Sequence, residues 1–207
     1  MLDNLAAQFL LDPDVTFLNH GSYGACPRVV FERYQAWQTQ LERQPVAFLD
    51  PARGLSGWMR DARVAMAGEL GVASDNIVGL TNATEGLNIV AQSLALSPGD
   101  EILTTDHEYA ALDKTWAYVA RRSGARIVPV TIPLPLTDAG PFTDALLAAI
   151  TPRTRVIFLS HITSATALRF PIEAIVAHAR KAGITTVIDG AHTPGHIPLD
   201  LTAQGGS

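Results

Sequence analysis

Apolar residues follow two different rhythms along this 207-residue chain. As far as Gly71 the spacing is helical. Asn4–Leu11 predicts a short helix closed by Asp12-Pro13, and Val15–Leu18 a brief extended piece. Val30, Tyr34, Trp37 and Leu41 fall on one face of a helix that starts at Pro27. A second helix is expected over much of Pro51–Leu70, ended by Gly71. From Ile77 onward short apolar runs alternate with amphipathic ones. Strands are predicted at Ile77–Leu80, Glu101–Thr105, Ala125–Ile132, Arg155–His161 and Ile184–Asp189. The helices between them are predicted at Asn82–Leu96, Ala110–Ser123, Phe142–Ile150 and Ile172–Ala182. Strands that are apolar on both faces, alternating with helices, imply a doubly wound, mostly parallel α/β sheet. The expected organisation is a helical segment over residues 1–71 and an α/β domain over 72–207.

Composition narrows the function. Hydrophobic residues make up 47% of the chain, enough for a sizeable core. A formal net charge of −5, with no cluster of basic and aromatic residues, argues against nucleic acid or an anionic membrane as partner. The acidic start MLDNLAAQFLLDPD is unlike a signal peptide. Cys26 is the single cysteine, which fits a cytoplasmic setting.

Candidate chemistry collects where the predicted strands end. The last strand stops on Asp189 and is followed by Gly190-Ala191-His192; ligands of open α/β sheets bind outside such carboxyl ends. Thr81-Asn82-Ala83-Thr84-Glu85-Gly86 leads into a helix whose free N–H groups and dipole suit a phosphate, although Asn82 and Glu85 also read as an ordinary capping pair. Asp106-His107-Glu108-Tyr109 offers rings that could stack on a planar ligand; the plainer reading has Asp106 capping the next helix. His161-Ile162-Thr163-Ser164 is another hydroxyl-bearing exit. Several polar exits at one sheet edge favour a single site over unrelated loops. Other chemistries fit less well. Pro194-Gly195 breaks the helix that would align His192 and His196 as metal ligands, so no metal is expected. Gly54-Leu55-Ser56-Gly57 misses the nucleophile elbow, and neither a P-loop nor a dinucleotide fingerprint is present.

Leu18–Gly24, Thr81–Gly86, Asp106–Tyr109, Ser160–Ser164 and Asp189–His192, in this order, resemble the class V aminotransferase family of pyridoxal-phosphate enzymes, in particular its isopenicillin N epimerase-like branch, with cysteine desulfurases as cousins. The resemblance implies the fold type I large domain. It also implies pyridoxal 5'-phosphate as cofactor, an amino-acid-like substrate, an external aldimine and a quinonoid carbanion, and a homodimeric parent. It gives Ala83 and Thr84 the cofactor phosphate and His107 the ring face, with Tyr109 as second choice. Asp189 falls to the pyridine nitrogen and His192 to the ring 3-oxygen, where Ser164 stands in place of an Asn common in relatives. The family's Schiff-base lysine lies beyond the Asp-x-x-His strand. The only lysines here, Lys114 and Lys181, match no such position. A partial enzyme is therefore expected, lacking its last strands and small domain, inactive alone and prone to associate through a strand edge. A phosphate-binding or partner-dependent scaffold is the alternative.

Overall fold

In a computed structural model, residues 5–204 are described. The chain forms two compact units, Met1–Val64 and Ala65–Ser207. The first carries α1 (Arg28–Arg43), α2 (Pro45–Leu49) and a π-helical turn at Pro51–Leu55. Pro27 caps α1 in an extended conformation, as its fixed φ and missing N–H favour at a helix entry. The division falls within α3 (Ser56–Leu70).

Several local expectations change here. Within Asn4–Leu11 only Ala6–Gln8 forms a single 3-10 turn, and Asn4 lies outside the described residues. Leu5 and Leu10 stay exposed, so no burial supports a longer helix. Val15–Leu18 joins no strand. The predicted second helix starts late, at Ser56, because the Asp50 carboxylate accepts Ala52 N–H and sets a separate turn before it.

The second unit holds α4 (Ala83–Ser93), β1 (Glu101–Thr105), α5 (Ala110–Ser123), β2 (Arg126–Val130), α6 (Gly140–Ala148), β3 (Thr154–Ser160), α7 (Ile172–Lys181) and β4 (Thr185–Asp189). All strand pairs are parallel, in the order β2-β1-β3-β4. Alternate residues serve opposite faces. Ile102, Val156, Phe158 and Val187 pack with Leu112, Trp116 and Ala91 beneath α4 and α5. Leu103, Ile157 and Leu159 pack with Phe142, Leu146 and Ile175 beneath α6 and α7. Trp116 tilts against Phe158 at 5.2 Å on the first face, and Phe142 stacks on Phe170 at 4.6 Å on the second. This is a doubly wound α/β sheet.

Ile77–Leu80, predicted as a strand, enters no ladder among the described residues. It is extended at Ile77 (φ −115°, ψ 133°), but Val78 and Leu80 are 74% and 46% exposed. Its apolar pattern anticipates burial, yet a strand also needs a hydrogen-bonded neighbour, which pattern alone does not specify. Leu80 packs instead on α4 at Gly86, where an added Cβ would come within 3.0 Å of its Cδ1.

Two polar devices fix the elements. At the amino end of the sheet, the buried Glu101 carboxylate accepts from Arg126 of β2 at 2.7 Å, and from Thr151 and Thr154 at the entry to β3. At α4, Asn82 Oδ1 accepts Glu85 N–H at 2.8 Å while Glu85 reaches back to Thr81 N–H at 3.3 Å. This capping box satisfies two donors at the helix start.

Asn82→Ala should lower stability by about 1 kcal/mol in chemical denaturation, whereas Asn82→Asp should stay within a few tenths. The Thr151 hydrogen bond, with those of Arg126 and Thr154 and the guanidinium charge, holds the Glu101 carboxyl below its ordinary range against the opposing effect of burial. A carboxyl with a lowered folded-state pKa stabilises above its unfolded pKa, and that contribution is lost as pH falls through the folded value. Glu101→Gln should therefore cost on the order of 1–2 kcal/mol at neutral pH, since charged hydrogen bonds are lost. The gap to wild type should close in acid, below the usual carboxylate range, when melting is followed against pH.

Candidate active site at the carboxyl edge of the sheet

The chain leaves β1 toward β2 with α5 on one face, and leaves β3 toward β4 with α7 on the other. The reversal lies between β1 and β3, and a crevice at such a switch point is where open α/β sheets bind ligands. The β1–β3 register runs only from Glu101–Thr154 to Leu103–Ile157, so the two strands part toward their carboxyl ends.

The exits of β1, β3 and β4 lie at this edge with the start of α4. On β4, Asp189 is 7% exposed and is paired in register with Ser160 of β3. It follows Val187 at the two-residue period, so its side chain shares the α4/α5 face. Its Oδ1 accepts Ala191 N–H at 2.9 Å, which folds back the Gly190-Ala191 turn, and its carbonyl accepts His161 N–H at 2.9 Å. The second carboxylate oxygen makes no hydrogen bond among the described residues.

After β1, Asp106 does not cap α5. Tyr109 is the cap residue there, and it supplies no side-chain bond. Asp106 Oδ1 instead binds His107 Nδ1 at 2.8 Å and accepts Ile132 N–H at 3.0 Å. Burial disfavours its charge, but these hydrogen bonds and the neighbouring imidazole outweigh that and hold the carboxyl below its usual range. The acid thus fixes the orientation of the His107 ring, whose side chain is 12% exposed.

Glu108, next in sequence, is a second buried acid of the crevice, and the motif alone does not single it out. Its Oε2 accepts Ser160 N–H at 2.8 Å and Ser160 Oγ–H at 2.6 Å, and its Oε1 accepts Thr105 Oγ–H at 2.7 Å. Burial, together with the charge of Asp189, pushes its carboxyl above the usual range despite these hydrogen bonds. The sequence carried no local signal for this role, because Ser160 lies 52 residues away.

α4 brings its N-terminus to the same edge. Its C-terminal end feeds, through residues 94–100, into the start of β1, so the helix runs antiparallel to the strands. Asn88 and Thr115, each five residues into its helix, join through a 2.9 Å hydrogen bond, which sets the starts of α4 and α5 level. Neither Ala83 N–H nor Thr84 N–H has a partner among the described residues. His192 is half-buried, and its carbonyl takes the His196 imidazole. Ser164 is exposed in the turn after β3. No hydrogen bond joins His192 or Ser164 to the other candidates. The Asn19–Gly24 turn belongs to the first unit, where Tyr23 N–H binds Asn19 O at 3.0 Å and His20 packs edge-on to Phe17.

A cavity of about 470 Å³ includes none of Ala83, Thr84, His107, Glu108, Ser164, Asp189 and His192. It lies on the α7 side of β4, lined by Ile172, Val176, Ile188, Leu199 and His161. The candidate site is instead an open edge that carries an acid, an imidazole and helix N–H groups free among the described residues.

The aminotransferase class-V family model matches residues 25–206. Isopenicillin N epimerase of Streptomyces clavuligerus is 40% identical over 195 residues, covering 94% of this chain and 48% of that protein. Among solved structures, a lysine-to-alanine mutant of C-DES with glycine covalently linked to its PLP cofactor superposes with a TM-score of 0.88 at 27% identity. That match covers 96% of this chain and 52% of the other. The cysteine desulfurase CsdA from Escherichia coli gives 0.81 at 28% identity, over 96% and 50%. The chain spans about half the length of the curated relatives it matches. The fold is that of these fold type I enzymes, and the chain belongs to the aminotransferase class-V family.

Proposed function

We propose that the carboxyl edge of this sheet binds pyridoxal 5'-phosphate, and that the chain is the cofactor-binding portion of an enzyme acting on an amino-acid-like substrate, of epimerase or aminotransferase type. The observation that carries this reading is Asp189: a buried carboxylate at a strand end, with one oxygen held by its own turn and the other uncommitted. A protonated heteroaromatic nitrogen suits that oxygen, since a buried charge is tolerable when paired and hydrogen-bonded. When bound, the cofactor supplies an electron sink for negative charge developing beside the substrate's amino group.

The chain's own residues then have distinct tasks. Ala83 and Thr84 offer two free N–H groups at the positive end of α4 to the phosphate. The His107 ring, held by Asp106, covers one ring face. Asp189 keeps a proton on the pyridine nitrogen by stabilising its charge. His192 and Ser164 serve the 3-oxygen side, His192 from the turn that Asp189 itself folds back. Residues 72–207 form the cofactor domain in this reading, and residues 1–71 a helical preface to it. Pairing of two copies in the whole protein and a cytoplasmic setting complete the proposal; the exposed, unpaired Cys26 suits a reducing compartment. No helix among the described residues is long and apolar enough to cross a membrane.

Asp189→Asn should weaken pyridoxal phosphate binding by about tenfold to a hundredfold in an absorbance titration, the worth of one charge-assisted hydrogen bond. Equal affinities for variant and wild type would remove the pyridinium role. Lys114 lies exposed on α5 and Lys181 exposed in the last turn of α7. Borohydride treatment of this chain with cofactor should therefore fix no stoichiometric adduct on either lysine by peptide mass spectrometry.

A further inference from the structure

We infer that Glu108 is a positioning residue of the cofactor site: it bridges the crevice where β1 and β3 part, and so fixes His107 relative to Asp189. The inference rests on the cofactor reading above. The hydrogen bonds form one continuous path. His107 N–H donates to Thr105 Oγ1 at 3.2 Å, and the Thr105 hydroxyl donates to Glu108 Oε1. Glu108 Oε2 takes both donors of Ser160, and Ser160 shares a rung of the β3–β4 ladder with Asp189. Ladder pairing between β1 and β3 is recorded no further than Leu103–Ile157, so a side chain does here what backbone bonds do lower in the sheet. A residue serving only to take these donors could be a neutral amide. A carboxyl 9% exposed, placed so that the Asp189 charge acts on it, is a costly choice for that task alone. It becomes reasonable where the groups at either end of the path must hold a planar ring between them, because supporting contacts decide whether a site is preorganised.

The test uses the 207-residue chain with pyridoxal 5'-phosphate as probe. Glu108→Ala removes the bridge. Glu108→Gln keeps its length, accepting from Ser160 through the amide oxygen and donating to Thr105. Thr105→Val cuts only the His107 arm. The readouts are cofactor affinity, the induced circular dichroism of bound cofactor, and the His107 imidazole NMR resonance without cofactor. Glu108→Ala should weaken binding about tenfold or more, by analogy with losing a supporting contact at other sites. It should also collapse the induced signal and shift the His107 resonance, and Glu108→Gln should restore most of each. If Glu108→Ala fails to fold, Thr105→Val must still shift His107 and reduce the induced signal. Unchanged binding, dichroism and His107 resonance in variants that merely melt earlier would reduce Glu108 to a structural brace. If wild type binds no cofactor the larger reading fails, while the His107 resonance still decides whether Glu108 positions that ring.

Discussion

Ser160 and Asp189 share one rung of a parallel ladder, and the arrangement of the candidate site follows from that rung. Parallel pairing sends both strand ends to the same edge, so the side chains that follow cannot avoid one another. The rung also selects a face: Ser160 and Asp189 sit two residues beyond Phe158 and Val187, which pack beneath α4 and α5. A slip of one residue would turn the acid toward α7 and away from the start of α4. The apolar alternation along β3 and β4 guards against it, because the same slip would exchange which residues each helical layer must cover.

The central strand pair carries an acid near each end, and the two behave in opposite ways. Glu101 meets a guanidinium and hydroxyl donors, and its carboxyl is held in the charged form. Glu108 is buried with only neutral donors to offset the loss of water, and burial together with the Asp189 charge raises its carboxyl above the usual range. The amino end is thereby a closed brace, with its charge matched inside the chain. At the carboxyl end, Asp189 has no ion pair among the described residues. An acid so placed suits the positively charged ring nitrogen proposed for it.

How far this was legible in the sequence depends on the range of each interaction. The Asn82–Glu85 cap spans three residues and could be read directly. β1 and α5 were bounded as found, because their apolar periods end in clear punctuation. Asp189 stood out because an acid closing an apolar strand is conspicuous wherever the strand pairs. The rest depended on partners that a linear pattern does not name. Ile77–Leu80 has a strand's composition without a neighbour among the described residues, and Asp106 passed for a helix cap until its contacts with His107 and Ile132 were visible. Glu108 is the extreme case: its meaning comes from Ser160, a full crossover and two helices later.

The proposed site divides its contacts between backbone and side chain. Two of the contacts proposed for the cofactor come from main-chain N–H groups of α4, which depend on helix geometry more than on residue identity. The others are an acid and a ring held from behind by Asp106 and Glu108. In the proposed reading all of these grip and polarise a cofactor. Relatives named for epimerisation and for desulfuration match this chain over nearly its whole length. In the proposed reading, the stretch that these differently named relatives share is the part that holds the cofactor.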